Sequence, residues 1–230
     1  MNSNGQNRGI IVIGGIVALA VVAAVVFIAV SLSSGGAASS NVDYSAMPQT
    51  RLEDGGFVVG NPDAPITLIE FADYACPHCQ DYEPTMTRFI NEYVKSGKAK
   101  FEFRIFPTAG GQTTYFVGSI LVCMEEQKAG AFWKAHGRLF HDAASGNYDG
   151  NTLRQIASEI GVDYGEALNC SQNQKQVDND VELGRALGVE GTPAVRVRYA
   201  NGEATTIPSF ERGGPTFEQL TVLVAAASQQ

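Results

Sequence analysis

Two cysteines set two residues apart, Cys76 and Cys79, narrow the fold of this 230-residue chain more than any other feature. They stand between an apolar run and an amphipathic one. Ile66-Thr67-Leu68-Ile69-Glu70-Phe71 follows the turn Gly60-Asn61-Pro62-Asp63-Ala64-Pro65 and reads as a largely buried strand. After the cysteines, Tyr82, Met86, Phe89, Ile90 and Tyr93 recur at the spacing of one helix face. Pro77 suits the first helical position, where its missing N–H costs nothing. Pro84, inside the same segment, is expected to kink it. Cys76 is therefore expected at the helix cap and Cys79 one turn further in.

Three chemistries use such a pair. A zinc site needs four ligands, and neither Cys123 and Cys170, 47 positions apart, nor His136 and His141 offer the missing two at a zinc spacing, so no metal is expected. A purely structural Cys76–Cys79 disulfide would close too small a ring to remove much chain entropy. Redox chemistry fits best. Unpaired N–H groups and the helix dipole stabilise an anion at Cys76, and a thiolate is both the nucleophile and the better leaving group. The His78 imidazole can donate to that sulfur or, when protonated, pair with it. Stabilising the thiolate stabilises the reduced protein, which makes the Cys76–Cys79 disulfide oxidising. Cys79 should be covered and act as the resolving thiol.

Further along, Lys100 to Phe106 alternates, with Phe101, Phe103 and Ile105 inward and Lys100, Glu102 and Arg104 outward, the pattern of a half-buried strand. Strand, helix and strand suggest a βαβ unit and an α/β fold. A mostly helical stretch runs from about residue 113 to 187, with helices expected at 115–126, 131–140 and 151–160. Residues 194–199 and 204–207 are expected to form a hairpin across a Gly-bearing turn, and residues 216–226 to close the chain as a helix.

The amino terminus sets the compartment. Residues 10–30 carry no charge or strongly polar side chain over 21 positions, roughly 31 Å of helix, enough for a hydrocarbon core. A cytoplasmic stub and a single transmembrane helix are expected over 1–30, with a cleaved signal peptide as the alternative, since Ala37-Ala38-Ser39 could serve a peptidase. Arg8 is the lone charge before the run, so the positive-inside rule keeps the terminus cytoplasmic and exports the rest. Residues 31–55, rich in Ser, Gly, Ala and Asn, read as a flexible tether. Sixteen basic against 24 acidic residues, a net charge of −8, argue against a nucleic-acid partner and against adhesion of the exported part to anionic lipid.

The stretch Ile69-Glu70-Phe71-Ala72-Asp73-Tyr74-Ala75-Cys76-Pro77-His78-Cys79 resembles the active-site segment of the DsbA-like thiol:disulfide oxidoreductases, proteins of thioredoxin fold. Gly188-Val189-Glu190-Gly191-Thr192-Pro193 and Gly130-Ala131-Phe132-Trp133-Lys134-Ala135-His136 extend the likeness, which covers about residues 56–226. The resemblance implies a thioredoxin-like domain over 56–230 with a helical insertion at about 112–187. It implies that Pro193 is cis and faces the dithiol, that the Thr192 backbone pairs with an extended substrate peptide, and that Glu70 lies behind the buried cysteine and relays its proton through water. It implies no cofactor, action on reduced exported polypeptides, and re-oxidation by a quinone-linked membrane partner of the DsbB or VKOR type. Cys123 and Cys170 fall in the insertion; in an oxidising compartment two leftover cysteines most often pair, and two buried free thiols are the alternative.

These features lead to a membrane-tethered oxidase, extracytoplasmic and monomeric, since no dimerisation domain is evident. A reductase or isomerase of the same fold, and a non-enzymatic peptide-binding or chaperone module with a structural CxxC, are the competing readings.

Overall fold

The computed structural model describes residues 42–200, 202–207 and 213–229. The apolar run at 10–30 lies outside them, and among the described residues no helix is long and apolar enough to cross a membrane.

Six strands form one sheet: β1 (Gln49–Arg51), β2 (Phe57–Gly60), β3 (Ile66–Ala72), β4 (Lys100–Ile105), β5 (Ala194–Tyr199) and β6 (Thr205–Thr206), in the order β1-β2-β4-β3-β5-β6. Only β3 and β4 run parallel. Helix α1 (Pro77–Phe89) connects them, which makes the βαβ unit, and a π-helical turn, Ile90–Val94, ends that connection. The helix runs on through Pro84 and leaves regular α geometry only at Ile90. Between β4 and β5 come α2 (Gly111–Gln127), α3 (Ala131–Ala144), α4 (Gly150–Ile160), α5 (Tyr164–Ser171) and α6 (Gln176–Ala186). Helix α7 (Phe217–Ala227) closes the chain behind a capping box, Thr216 with Gln219.

The two faces of β3 explain the layering. Ile66, Leu68 and Ala72 join the main core with Phe101, Phe103, Met86, Phe89 and Trp133. Ile69 and Phe71 join a smaller core with Phe106 and Val189, packed against Val181 and Leu183 of α6. A strand covered on both faces needs apolar residues at successive positions, and all seven residues of β3 are buried.

Two expectations are corrected by this layering. β4 is not half-buried: Glu102 and Arg104 are as enclosed as its phenylalanines, because α6 covers the face that alternation assigned to solvent. The charges survive there by pairing. Arg104 donates to Glu102 at 2.8 Å, to Asp180 at 3.0 Å and to Asp54 at 2.8–2.9 Å, while Arg198 donates to the other Glu102 oxygen at 2.7 Å. Gly56 makes room for the guanidinium, since a Cβ there would overlap it. The second correction concerns the expected tether over 31–55. From Val42 onward it is built into the fold: Val42, Tyr44 and Met47 are buried, Tyr44 stacks on Trp133 at 5.0 Å between ring centroids, and β1 pairs with β2.

Candidate active site

Cys76 caps α1. Its backbone is extended (φ −77°, ψ 119°), Pro77 opens the helix, and its carbonyl accepts from the N–H groups of Cys79 and Gln80 at 3.0 and 3.1 Å. Cys76 retains 5% of its surface exposure and Cys79 none. Both are free thiols, and His78 stands exposed between them. Burial pushes the Cys79 thiol well above its ordinary range, and the carboxyl of Glu70 adds to the effect.

The loop entering β5 faces this pair. The Thr192–Pro193 peptide bond is cis, and Cys76 Sγ donates to the Thr192 carbonyl at 3.5 Å. Beside it opens a groove of about 730 Å³, bordered by His78, Tyr82, Val189, Thr192, Pro193 and Arg196.

Glu70 lies on the face of β3 shared with Leu68 and Ala72. It is 1% exposed, and its Oε2 has no hydrogen-bond partner among the described residues. Burial, reinforced by Glu83, holds its carboxyl well above the usual carboxylate range. Glu83, which accepts from Thr87 Oγ1 at 2.8 Å, is itself pushed up to about 7 by desolvation.

A residue the sequence reading did not single out organises the loops. The carboxylate of Asp73, fully buried, accepts from the N–H groups of Ala75, Thr108 and Gly110 at 2.9, 2.7 and 2.9 Å, and from the hydroxyls of Thr108, at 3.3 Å, and Thr114. It ties the approach to Cys76 to the segment between β4 and α2. A Cβ on Gly110 would run into Thr114 Oγ1 and Ala75. The bond to Ala75, two residues on, is an Asx turn and could have been sought in the sequence. The partners at 108–114 could not.

The remaining candidates lie apart. Cys123 in α2 and Cys170 in α5 are joined by a disulfide, with Cα atoms 5.9 Å apart. Glu126 beside them completes the one group of potential metal-binding side chains among the described residues, but both its sulfurs are already bonded to each other. His136 sits in a cage of Tyr44, Tyr74, Phe103 and Phe132, with Nδ1 3.0 Å from the Tyr74 hydroxyl, and burial presses its pKa down to about 3.

A family model described as thioredoxin matches residues 53–212. The chain belongs to the thioredoxin family. Among its members the chain is similar to the probable disulfide bond formation protein D of Bacillus anthracis, 24% identical over 162 residues that cover 66% of this chain and 72% of that protein. In three dimensions it resembles BdbD from Bacillus subtilis, with a TM-score of 0.61 and 19% identity over 75% of this chain and 92% of that one. It resembles alpha-DsbA1 of Wolbachia pipientis equally, with a TM-score of 0.61 and 21% identity over 76% and 91%. Within the thioredoxin family this chain is thus a DsbA-like thiol:disulfide oxidoreductase.

Proposed function

We propose that this protein-disulfide oxidoreductase works as an oxidase, passing the Cys76–Cys79 disulfide to reduced, exported polypeptides. The observation that supports the direction is the position of Cys76 at the start of α1, behind Pro77 and beside the unpaired N–H groups of the first turn. An anion is stabilised there, so the reduced protein gains and its disulfide becomes a better electron acceptor.

In the forward reaction a substrate thiolate attacks Cys76 Sγ. The Cys76–Cys79 bond breaks, its electron pair goes to the Cys79 sulfur, and that sulfur takes up a proton. Glu70, buried with its carboxyl held above the usual carboxylate range, relays that proton through water. A second substrate thiolate then attacks the first substrate sulfur and expels Cys76 as thiolate. Pro77 and His78 shape the cap around that sulfur. The Thr192 backbone beside Pro193 pairs with the extended substrate. Re-oxidation falls to a quinone-linked membrane thiol oxidase of the DsbB or VKOR type. The catalytic domain works as an extracytoplasmic monomer, held at the membrane by the apolar run at 10–30.

Cys76→Ser is expected to abolish oxidation of a reduced test protein, and Cys79→Ser to accumulate mixed disulfides with it. Full activity in Cys76→Ser would overturn the reading. Equilibration with glutathione fixes the direction: an oxidase is reduced readily, whereas resistance to glutathione would favour a reductase or isomerase. Unchanged function with both cysteines replaced by Ser would instead indicate a peptide-binding module.

A further inference from the structure

The loop that leads into Pro193 is held by few polar contacts. Among the described residues, Glu190, Gly191 and Thr192 make two hydrogen bonds to the rest of the fold, both through Thr192. In one, the Thr192 carbonyl accepts from Cys76 Sγ at 3.5 Å. In the other, the hydroxyls of Thr108 and Thr192 meet at 2.6 Å, with either one able to donate.

Oxidation treats these two ties differently. The first needs a proton on Cys76 Sγ, and a sulfur bonded to that of Cys79 has none to give. The disulfide form, the one that meets a reduced substrate, therefore keeps the hydroxyl tie alone. The far end of that tie is well seated. Asp73, fully buried, accepts from the Thr108 and Gly110 N–H groups at 2.7 and 2.9 Å through its carboxylate. The Asp73 carbonyl accepts from the Cys76 N–H at 2.9 Å. One residue thus grips Cys76 by its backbone and Thr108 by its carboxylate, and the path Cys76–Asp73–Thr108–Thr192 runs through no sulfur.

We propose that Thr108, anchored on Asp73, is a positioning residue: it holds the 190–192 loop against the Cys76 loop while the pair is a disulfide, and so keeps the peptide-pairing edge at Thr192 in place when a reduced polypeptide arrives. The inference rests on the oxidase reading given above for the identity of that arriving substrate. It assigns the task to a side chain 84 residues from Thr192 in sequence.

Thr108→Val tests it. The variant keeps the backbone N–H that binds Asp73 and removes an exposed hydroxyl. In the oxidised protein, amide hydrogen exchange across residues 187–196, read by mass spectrometry, should quicken by about two- to tenfold, the range of one hydrogen bond. The KM for a reduced test polypeptide should rise by about the same factor while kcat holds, because the loss falls on binding. Reduction by dithiothreitol, which needs the Cys76 sulfur but no strand pairing at Thr192, should keep its native rate. Thr108→Ser should restore the native exchange and the native KM. The inference is overturned if either exchange or KM stays native in Thr108→Val, or if dithiothreitol is slowed as much as the polypeptide. A native protein that oxidises the polypeptide beside a Thr108→Val indistinguishable from it defeats this inference alone. A native protein that oxidises no polypeptide defeats the oxidase reading, and exchange across 187–196 then still decides whether Thr108 holds the loop.

Discussion

Arg104 and Asp180 meet inside the protein: the Arg104 Nη1 donates to Asp180 Oδ1 across 3.0 Å, and neither side chain is more than 1% exposed. The other Asp180 oxygen accepts from the Ile105 N–H at 3.0 Å, so one carboxylate latches α6 onto the end of β4. Glu102, on the same strand face, shares the guanidinium. Removing that one cation strands the enclosed carboxylate of Asp180 and leaves Glu102 with Arg198 alone.

Arg104→Leu is accordingly expected to destabilise the domain by about 3–5 kcal/mol, the cost of breaking a buried pair from one side. Urea unfolding monitored by circular dichroism measures it. A loss below about 1 kcal/mol would show that water reaches the cluster and that the pairing matters little.

Glu83 should make stability fall toward alkaline pH. Its folded pKa, about 7, lies above the ordinary 4.5, so the folded chain holds this proton where the unfolded chain has released it. The stabilisation is complete below about 4.5 and is lost as pH rises through about 7. Glu83→Gln, which retains an acceptor for Thr87, should lack this loss, worth up to about 3 kcal/mol. Unfolding curves for the two proteins at intervals from pH 4.5 to 8 decide it, and parallel profiles would contradict it.

His136 works in the opposite direction. Its folded pKa, about 3, lies below the ordinary 6.5, so the unfolded chain takes up the proton first on acidification. Its contribution is present above about 6.5 and is lost progressively as pH falls toward 3. Relative to His136→Gln, the native protein should lose up to about 1.4 kcal/mol of its advantage per pH unit over that window. A difference between the two proteins that stays constant from pH 7 to pH 4 would count against a neutral, caged imidazole.

Replacing Cys123 and Cys170 together by Ala opens a cross-link spanning 47 positions. In the chain-entropy account the domain should lose up to about 4 kcal/mol. The glutathione equilibrium of Cys76–Cys79 should not move, since the bridge joins α2 to α5 while the dithiol sits at the start of α1. A shifted equilibrium would mean that the two disulfides are coupled.

What could be read from sequence was local. The seven buried residues of β3, the start of α1 at Pro77 and the hairpin of β5 with β6 are each written in short apolar or turn patterns. The nearness of Thr192 to Cys76 rested on a family resemblance, because no spacing predicts a contact across 116 positions. Glu102 and Arg104 misled for a physical reason: alternation assumes one wet face, and the acid that neutralises Arg104 arrives 76 residues later on α6. Val42, Tyr44 and Met47 were hidden by their small polar neighbours, although each fills a place in the core. Asp73 looked like an ordinary loop acid, since nothing near it in sequence announces Thr108, Gly110 or Thr114.

The short strand laid down by Gln49–Arg51 bears on anyone trimming the gene for expression. The family match begins at residue 53, two positions past that strand. A protein started there would uncover the flank of Trp133 where Tyr44 had stacked, and would leave the outer hydrogen-bonding groups of β2 open to the next molecule. A bare edge of that kind recruits foreign strands, so the economical truncation is the one that precipitates.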